Sequence, residues 1–289
     1  MFRSGPFLRL LGFASSLPLL LVSLNGTVAQ ADSTPFPVGI PDVAEPSGMA
    51  PPSSSAMPGY HENYVTDFRG SHLPTGWDAF NGVPGGDPGG QFSFRHIEVS
   101  HGLLQLKVWR DPEFGNRWVT GGVCNCGHVL TYGAFFVRSR LTRKGPNTAE
   151  LLWPQASVWP PEIDFNENLS HLNLTTGTLH WPPGDNTSFG VLHVNMLNWH
   201  TWGVIWTPSS VTYTVDGLPW HVENRQGTIP SIPMDVNLEQ RTMCSVGRDC
   251  PLTTSALLVD WVIQYQTNGP LPQLHRSSHF KENMGLTQN

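Results

Sequence analysis

The sequence predicts an all-β fold of the β-sandwich or jelly-roll type. Apolar and polar residues alternate over many short stretches, as in residues 104–108, 211–215 and 258–262. This period of two indicates strands with one buried face. Turn-forming pairs such as Asp216-Gly217 separate the stretches. Many short strands without a long helical pattern or an internal repeat are typical of sandwiches.

The chain divides into four segments by composition. Residues 1–31 place arginines before an apolar run, residues 10–24, and contain the small-x-small cleavage site Ala29-Gln30-Ala31, which predicts a signal peptide and a secreted, extracellular protein. The run is too short and too interrupted for the alternative, a transmembrane helix. Residues 32–59 are rich in Pro and Ser and predict a disordered linker. Residues 60–268 predict one folded domain, and residues 269–289 a polar C-terminal tail.

The overall composition favours a neutral ligand. The formal net charge is -6, and charged residues make up 13% of the chain against 10% aromatics. Nucleic acid is not expected as a partner, because phosphate binding requires clustered Lys and Arg. The 11 tryptophans all lie within residues 77–261, and their flat faces suit sugars. We expect a monomer that does not insert into membranes.

Four cysteines in an exported chain predict disulfides. Cys244 and Cys250 would close a small loop. A direct bridge between Cys124 and Cys126 is strained by the single residue between them, so crossed pairing of the two segments stays open. A metal site is the rival interpretation of Cys-x-Cys, but no histidine pair at ligand spacing accompanies it.

Three carboxylates lie close together at Glu162, Asp164 and Glu167. Regular strand geometry places Glu162 and Asp164 on one face and Glu167 on the other. One bulged residue between Asp164 and Glu167 would correct this, and bulges are enriched beside active sites. We then expect Glu162 and Glu167 roughly 6 to 7 Å apart at the backbone. Carboxyls that converge to about 5 to 5.5 Å suit a retaining glycosidase.

The Glu-x-Asp-x-x-Glu spacing and its flanks resemble glycoside hydrolase family 16. The flanking segments that match, in order, are residues 120–122, 132–133, 137–140, 152–154, 159–160, 178–181, 199–202, 206–208, 215–217 and 259–262. The resemblance implies a lectin-like jelly roll of two curved antiparallel sheets with a concave cleft. It implies Glu162 as nucleophile, Glu167 as general acid/base and Asp164 as the residue whose charge keeps the acid protonated. Pro161 departs from the glycine of many members, which bears on the neighbouring sugar subsite.

By the same resemblance, the chain is a retaining endo-β-glycosidase that acts on a β-linked polysaccharide. The expected substrate is β-1,3- or mixed-linkage β-1,3-1,4-glucan. No cofactor is expected, although family members often carry a structural calcium on the convex side, for which no acidic loop here identifies ligands. A transglycosylase with the same active site and a non-catalytic lectin are the alternatives, because fold does not fix function.

Sugar contacts are predicted from aromatic and polar residues near the motif. Tryptophans could stack on pyranose rings, although in a sandwich each can equally belong to the core. Alternation in residues 234–239 places polar side chains on one face, and a Gly-rich loop resembles a cleft rim. The candidates are Trp159, Trp109, Trp181, His180, Asn81, Asn237 and Glu239.

Overall fold

The computed structural model describes residues 34–156, 158–244, 250 and 253–269. The predicted signal peptide (1–31) and all but the first residue of the predicted tail (269–289) lie outside these residues, so both stay predictions. Within the described part of the chain, no helix is long and apolar enough to cross a membrane.

Two antiparallel sheets form the body of the protein, as predicted for a jelly-roll sandwich. The seven-stranded sheet contains, in spatial order, β13 (Asn186–Leu192), β12 (Thr175–Trp181), β11 (Glu162–Glu167), β10 (Asn147–Pro154), β17 (Met234–Arg241), β8 (Gly122–Cys124) and β4 (Asp78–Ala79). The nine-stranded sheet contains β16 (Leu218–Glu223), β15 (Ser210–Val215), β14 (His200–Thr207), β9 (Gly133–Leu141), β18 (Ser255–Thr267), β6 (Leu103–Asp111) and β5 (Ile97–Ser100), with β3 (Tyr60–Thr66) paired to β18 and β7 (Arg117–Thr120) paired to β6.

The main hydrophobic core lies between the two sheets. Alternate residues of each strand point inward, and those of β11 are Ile163 and Phe165, both fully buried. They pack with residues of the nine-stranded sheet such as Leu106 and Trp202. Burial of each large apolar side chain stabilises the fold by about 1.5 to 3 kcal/mol. This anchoring fixes which face of β11 points away from the core.

A second apolar cluster lies on the other face of the nine-stranded sheet. It includes Phe136, Trp261 and Tyr265. Residues 34–59 lie against this cluster and contain the short strands β1 (Ile40–Pro41) and β2 (Met49–Ala50). The indole of Trp261 donates a 2.9 Å hydrogen bond to the Met49 carbonyl, and the Tyr265 hydroxyl donates a 2.8 Å bond to the Ser53 carbonyl.

The N-terminal segment therefore differs from the predicted disordered linker. The segment does contain few large apolar residues, but hydrogen bonds of its backbone and small polar groups hold it against the sheet. The Arg138 guanidinium donates to the Ser47 hydroxyl at 2.7 Å, and the Ser47 amide donates to Asp260 at 3.0 Å. Composition alone does not reveal such partners, because they are supplied by the sheet, far away in sequence.

Candidate active site

A β-bulge in β11 places the three acidic side chains on one face. In the pairing with β12, Glu162 lies opposite His180, Asp164 opposite Thr178 and Glu167 opposite Thr176. The register shifts between Asp164 and Glu167. Because alternate positions on β12 share a face, their three partners on β11 share one too. The predicted bulge is confirmed.

The backbone separation of Glu162 and Glu167 is larger than predicted. Their partners His180 and Thr176 are four residues apart on β12, which corresponds to about 13 Å along a strand. The expected separation of about 6 to 7 Å corresponds to two residues along a strand, whereas the observed register spans four. The carboxyls can approach each other only if both side chains lean toward Asp164, which lies between them.

Glu162 is 7% exposed and accepts a 2.6 Å hydrogen bond from the Trp159 indole. Burial, together with the charge of Asp164, raises the pKa of Glu162 to about 9. The Trp159 bond and the positive charges of His180 and Arg241 act in the opposite direction. The buried Glu162 carboxyl thus tends to hold a proton, and the Trp159 bond opposes this by favouring the ionised form of Glu162.

His180 connects the acidic strand to the β12–β13 turn. Its Nε2 lies 3.2 Å from Oδ2 of Asp164, and its Nδ1 lies 2.7 Å from Oδ1 of Asp185. Burial acts to lower the pKa of His180, but the hydrogen bonds and charges of Asp164 and Asp185 outweigh it and raise the pKa to about 9. A protonated imidazole therefore lies beside Asp164 at neutral pH.

Glu167 lies among polar residues of two other strands. Its Oε1 accepts a 2.7 Å hydrogen bond from the Asn147 amide and lies 3.8 Å from Nη2 of Arg241. The same guanidinium is 2.8 Å from Oε1 of Glu239. The charge of Glu239 raises the already high pKa of Arg241 further, so Arg241 is a fixed cation between two carboxylates.

A buried polar network supports the bulge from the core side. Asn166, within the bulge, is 1% exposed, and its Oδ1 accepts a 2.7 Å hydrogen bond from Thr175. Glu150 lies directly opposite Asn166 on β10, is fully buried and accepts a hydrogen bond from Ser139. Burial raises the pKa of Glu150 to about 8. Polar contacts with both neighbouring strands thus stabilise the bulge that orients Glu167.

Glu162 lies in the wall of a cleft with a volume of about 830 Å³. Aromatic and polar groups from several strands and loops surround it. The lining residues most relevant to a sugar are Phe80, Asn81, Phe92, Trp153, Trp159, Glu162, Asp235, Asn237, Glu239 and Arg241. Four of the seven predicted sugar contacts are therefore in its wall: Asn81, Trp159, Asn237 and Glu239.

The polar residues of β17 form a row across from the acids. Asn237 donates a 2.6 Å hydrogen bond to Asp235, whose pKa burial raises to about 6. Sequence reasoning missed Arg241 and Trp153. Arg241 continues the alternation of Asp235, Asn237 and Glu239, so the same period of two could have identified it.

Of the three other predicted contacts, His180 lies on the face of the acids beside Asp164 but is not among the cleft-lining residues. The remaining two lie on other faces. Trp109 belongs to β6 of the other sheet and stacks on His96, with ring centroids 3.3 Å apart. Trp181 follows His180 on β12, so it points to the opposite face, where it packs against the core and under Arg225. Both corrections have one cause: a tryptophan in an alternating stretch does not reveal which face of which sheet it occupies.

The disulfides join neighbours within each cysteine pair. Cys124 bonds to Cys126, and Cys244 to Cys250, so the crossed pairing does not occur. The first bridge lies in the cleft wall. Asp78 lies close to it, but bridged sulfurs are poor metal ligands, and calcium prefers six to eight oxygens. The structural calcium stays a prediction.

Comparison with known proteins agrees with this architecture. Residues 91–243 match the family model of glycosyl hydrolases family 16. The fold is similar to the catalytic domain of an endo-1,3-beta-glucanase (laminarinase) from Thermotoga petrophila RKU-1, at 18% identity and a TM-score of 0.61, over 73% of this chain and 99% of that one. A lichenase derived from a mouse hindgut metagenome gives 18% identity and a TM-score of 0.58, over 70% of this chain and 97% of that one.

A third similar structure contains sugars. It is LamA from Z. galactanivorans in complex with laminaritriose and laminaritetraose, at 17% identity and a TM-score of 0.62, over 71% of this chain and 98% of that one. The chain matches no curated protein by sequence. The sandwich, its acid-lined cleft and the family match define a glycoside hydrolase. The chain belongs to glycoside hydrolase family 16, as the Glu-x-Asp-x-x-Glu motif predicted.

Proposed function

We propose that this chain is a retaining endo-β-glucanase, with Glu162 as nucleophile and Glu167 as general acid/base. One observation carries the proposal: the bulge in β11 turns Glu162, Asp164 and Glu167 toward one face, and Glu162 lines the cleft. Retaining glycosidases require two carboxyls that flank the same glycosidic bond.

In the first step, Glu162 attacks the anomeric carbon of the sugar on the donor side. The bond from that carbon to the glycosidic oxygen breaks, and Glu167 gives its proton to the departing oxygen. In the second step, Glu167 takes a proton from water, whose oxygen displaces Glu162 from the anomeric carbon. Two inversions give net retention, and Glu167 regains its proton.

Each acid has contacts that support its role, against the burial and the Asp164 charge that raise the pKa of Glu162. The indole of Trp159 and the charges of His180 and Arg241 stabilise the ionised form of Glu162 that attack requires. Asn147 orients Glu167 through a 2.7 Å hydrogen bond. A raised pKa for Glu167 stays a prediction that follows from the neighbouring carboxylates.

For the substrate, we propose β-1,3-glucan or mixed-linkage β-1,3-1,4-glucan. The cleft offers aromatic rings for the apolar faces of glucose, notably Trp153 and Trp159, and amide or carboxylate groups for its hydroxyls, notably Asn237 and Glu239. The similar structures include a laminarinase, a lichenase and a complex with laminari-oligosaccharides, which supports the same substrate class. Export of the chain accords with its two disulfides.

The first test is a substrate panel of laminarin, barley glucan, agarose, carrageenan and xyloglucan. We expect wild-type protein to release reducing ends from laminarin or barley glucan, with a rapid fall in polymer size. Glu162→Gln and Glu167→Gln should each lower kcat by more than about a thousandfold, since each removes a reacting group. Glu98→Gln, an exposed acid on β5, is the matched control and should retain full activity.

Azide distinguishes the two roles. With an activated aryl β-glycoside, Glu162→Ala plus azide should yield the α-glycosyl azide, because azide takes the place of the nucleophile. Glu167→Ala plus azide should yield the β-glycosyl azide, because azide attacks the glycosyl enzyme instead of water. The reverse pattern would exchange the two assignments. Full activity of either variant on polymer would remove that residue from the catalytic role. Wild-type protein that binds glucan without cleaving it would instead be a carbohydrate-binding lectin.

A further inference from the structure

Two large apolar side chains are exposed on β13, the outermost strand of the seven-stranded sheet. Phe189 is 61% exposed and Val191 is 45% exposed. They occupy alternate positions, so they lie side by side on one face of the strand. Single exposed apolar residues are common on protein surfaces, but an aligned pair at the end of a binding face can serve a ligand.

The register places this pair in line with the acids. Phe189 pairs with Thr178, which pairs with Asp164, and Val191 pairs with Thr176, which pairs with Glu167. Residues directly opposite each other point to the same side of a sheet. Phe189 and Val191 therefore share the face of the acids, at a distance of two strand spacings, or roughly 10 Å.

The acids divide this face into two unlike halves. On the β10, β17, β8 and β4 side lies the cleft with Trp159 and Glu239 in its wall. On the β12 and β13 side, Thr176 and Thr178 are buried, and the face ends in the exposed apolar groups of β13. A half with side-chain walls suits the sugar that is attacked and must be held in place, whereas an exposed apolar edge suits the part that departs.

We propose that Phe189 and Val191 form a platform that binds the leaving-side sugars of the glucan. The inference rests on the proposed function and adds the site for the second half of the substrate. The C–H faces of β-linked glucose rings are apolar and pack on aromatic and aliphatic side chains. The distance of about 10 Å from the acids corresponds to about two sugar rings.

The platform has a consequence for the fate of the glycosyl enzyme. A second glucan chain that binds there presents a hydroxyl to the anomeric carbon and competes with water. Transfer forms a new glycosidic bond and releases the Glu162 carboxylate, with Glu167 taking the hydroxyl proton. Phe189 and Val191 therefore set the ratio of transfer to hydrolysis in addition to the affinity for long substrates.

The test compares two substrates that share their donor side. One is laminarihexaose, or a mixed-linkage hexasaccharide if wild-type prefers it; the other is the corresponding 4-nitrophenyl β-trioside, whose aryl group is too short to reach β13. The variants are Phe189→Ala and Phe189→Ala/Val191→Ala. Val222→Ala is the control, since Val222 is 39% exposed on β16, the edge strand of the other sheet. Circular dichroism checks folding.

We expect KM for the hexasaccharide to rise about fivefold in the double variant, with a lower fraction of transfer products. The loss on the hexasaccharide should exceed the loss on the aryl trioside at least about threefold. Equal losses of activity on both substrates, or no loss on either, would overturn the proposed platform. In both cases, wild-type activity would still uphold the proposed function. Wild-type protein that cleaves neither substrate would instead refute the proposed function itself.

Discussion

The indole N–H of Trp159 donates a 2.6 Å hydrogen bond to Oε2 of Glu162, three residues further along the chain. The bond stabilises the carboxylate form of Glu162 and opposes the burial that raises its pKa. Trp159 is 43% exposed, so its ring can also offer a face to a sugar. One side chain thus contacts both the proposed nucleophile and the cleft.

Trp159→Phe keeps an aromatic face but removes the donor. Because the bond lowers the pKa of Glu162, we expect the acidic limb of the kcat/KM profile to move to higher pH by about one unit, the scale of one hydrogen bond to a charged group. The control is Trp118→Phe. Trp118 lies on β7 with the Arg110 guanidinium over its ring, and its replacement should leave the profile unchanged. An unshifted acidic limb in Trp159→Phe would argue against the nucleophile role of Glu162.

Glu150 makes stability dependent on pH. Its pKa rises from 4.5 to about 8 in the folded protein, so between these values the folded state holds a proton that the unfolded state has lost. Stability therefore falls as pH rises through this window, by up to about 1.4 kcal/mol per pH unit, and levels off above the folded pKa. Glu150→Gln should remove this pH dependence of the unfolding free energy. Urea unfolding midpoints of both proteins from pH 5 to 9 provide the measurement, and identical slopes would contradict it.

Arg241 and Glu239 should behave as a coupled pair. Arg241→Met leaves the largely buried Glu239 carboxylate without its 2.8 Å ion-pair partner, and we expect a loss of about 2 to 3 kcal/mol in unfolding free energy. Arg241→Met/Glu239→Gln should recover most of that loss, because no uncompensated charge remains. Additive losses in the double variant would show that the two side chains act independently.

Removal of residues 32–59 tests whether the N-terminal segment is part of the fold. Its loss exposes the apolar cluster around Trp261 and Tyr265 and breaks their hydrogen bonds. We expect Tm to fall by roughly 10 °C and the binding of a hydrophobic dye to increase. An unchanged Tm would mean that the segment is the linker that its composition predicts.

The parity of the acidic motif allowed the bulge to be predicted from the sequence. Glu162 and Glu167 are an odd number of residues apart, so a regular strand would separate them, and one extra residue restores a common face. The class of fold follows from the period of two in the same way. These properties depend on neighbours in sequence, and local patterns report them well.

The remaining errors concern contacts between segments far apart in sequence. Trp109 and Trp181 alternate as strand residues should, yet the choice between cleft, core and outer surface depends on which strands become neighbours. The role of Glu150 is hidden for the same reason, since Asn166 and Ser139 reach it from different strands. Register and sheet order, which set these contacts, are tertiary properties.

The anomeric form of the first product tests the central claim most directly. Proton NMR during the first minutes of laminarin or barley glucan hydrolysis, before mutarotation, should show the β-anomer of the new reducing end appearing first. Retention requires a glycosyl enzyme, which is the route that the roles proposed for Glu162 and Glu167 predict. Initial release of the α-anomer would indicate direct attack by water and would contradict the account.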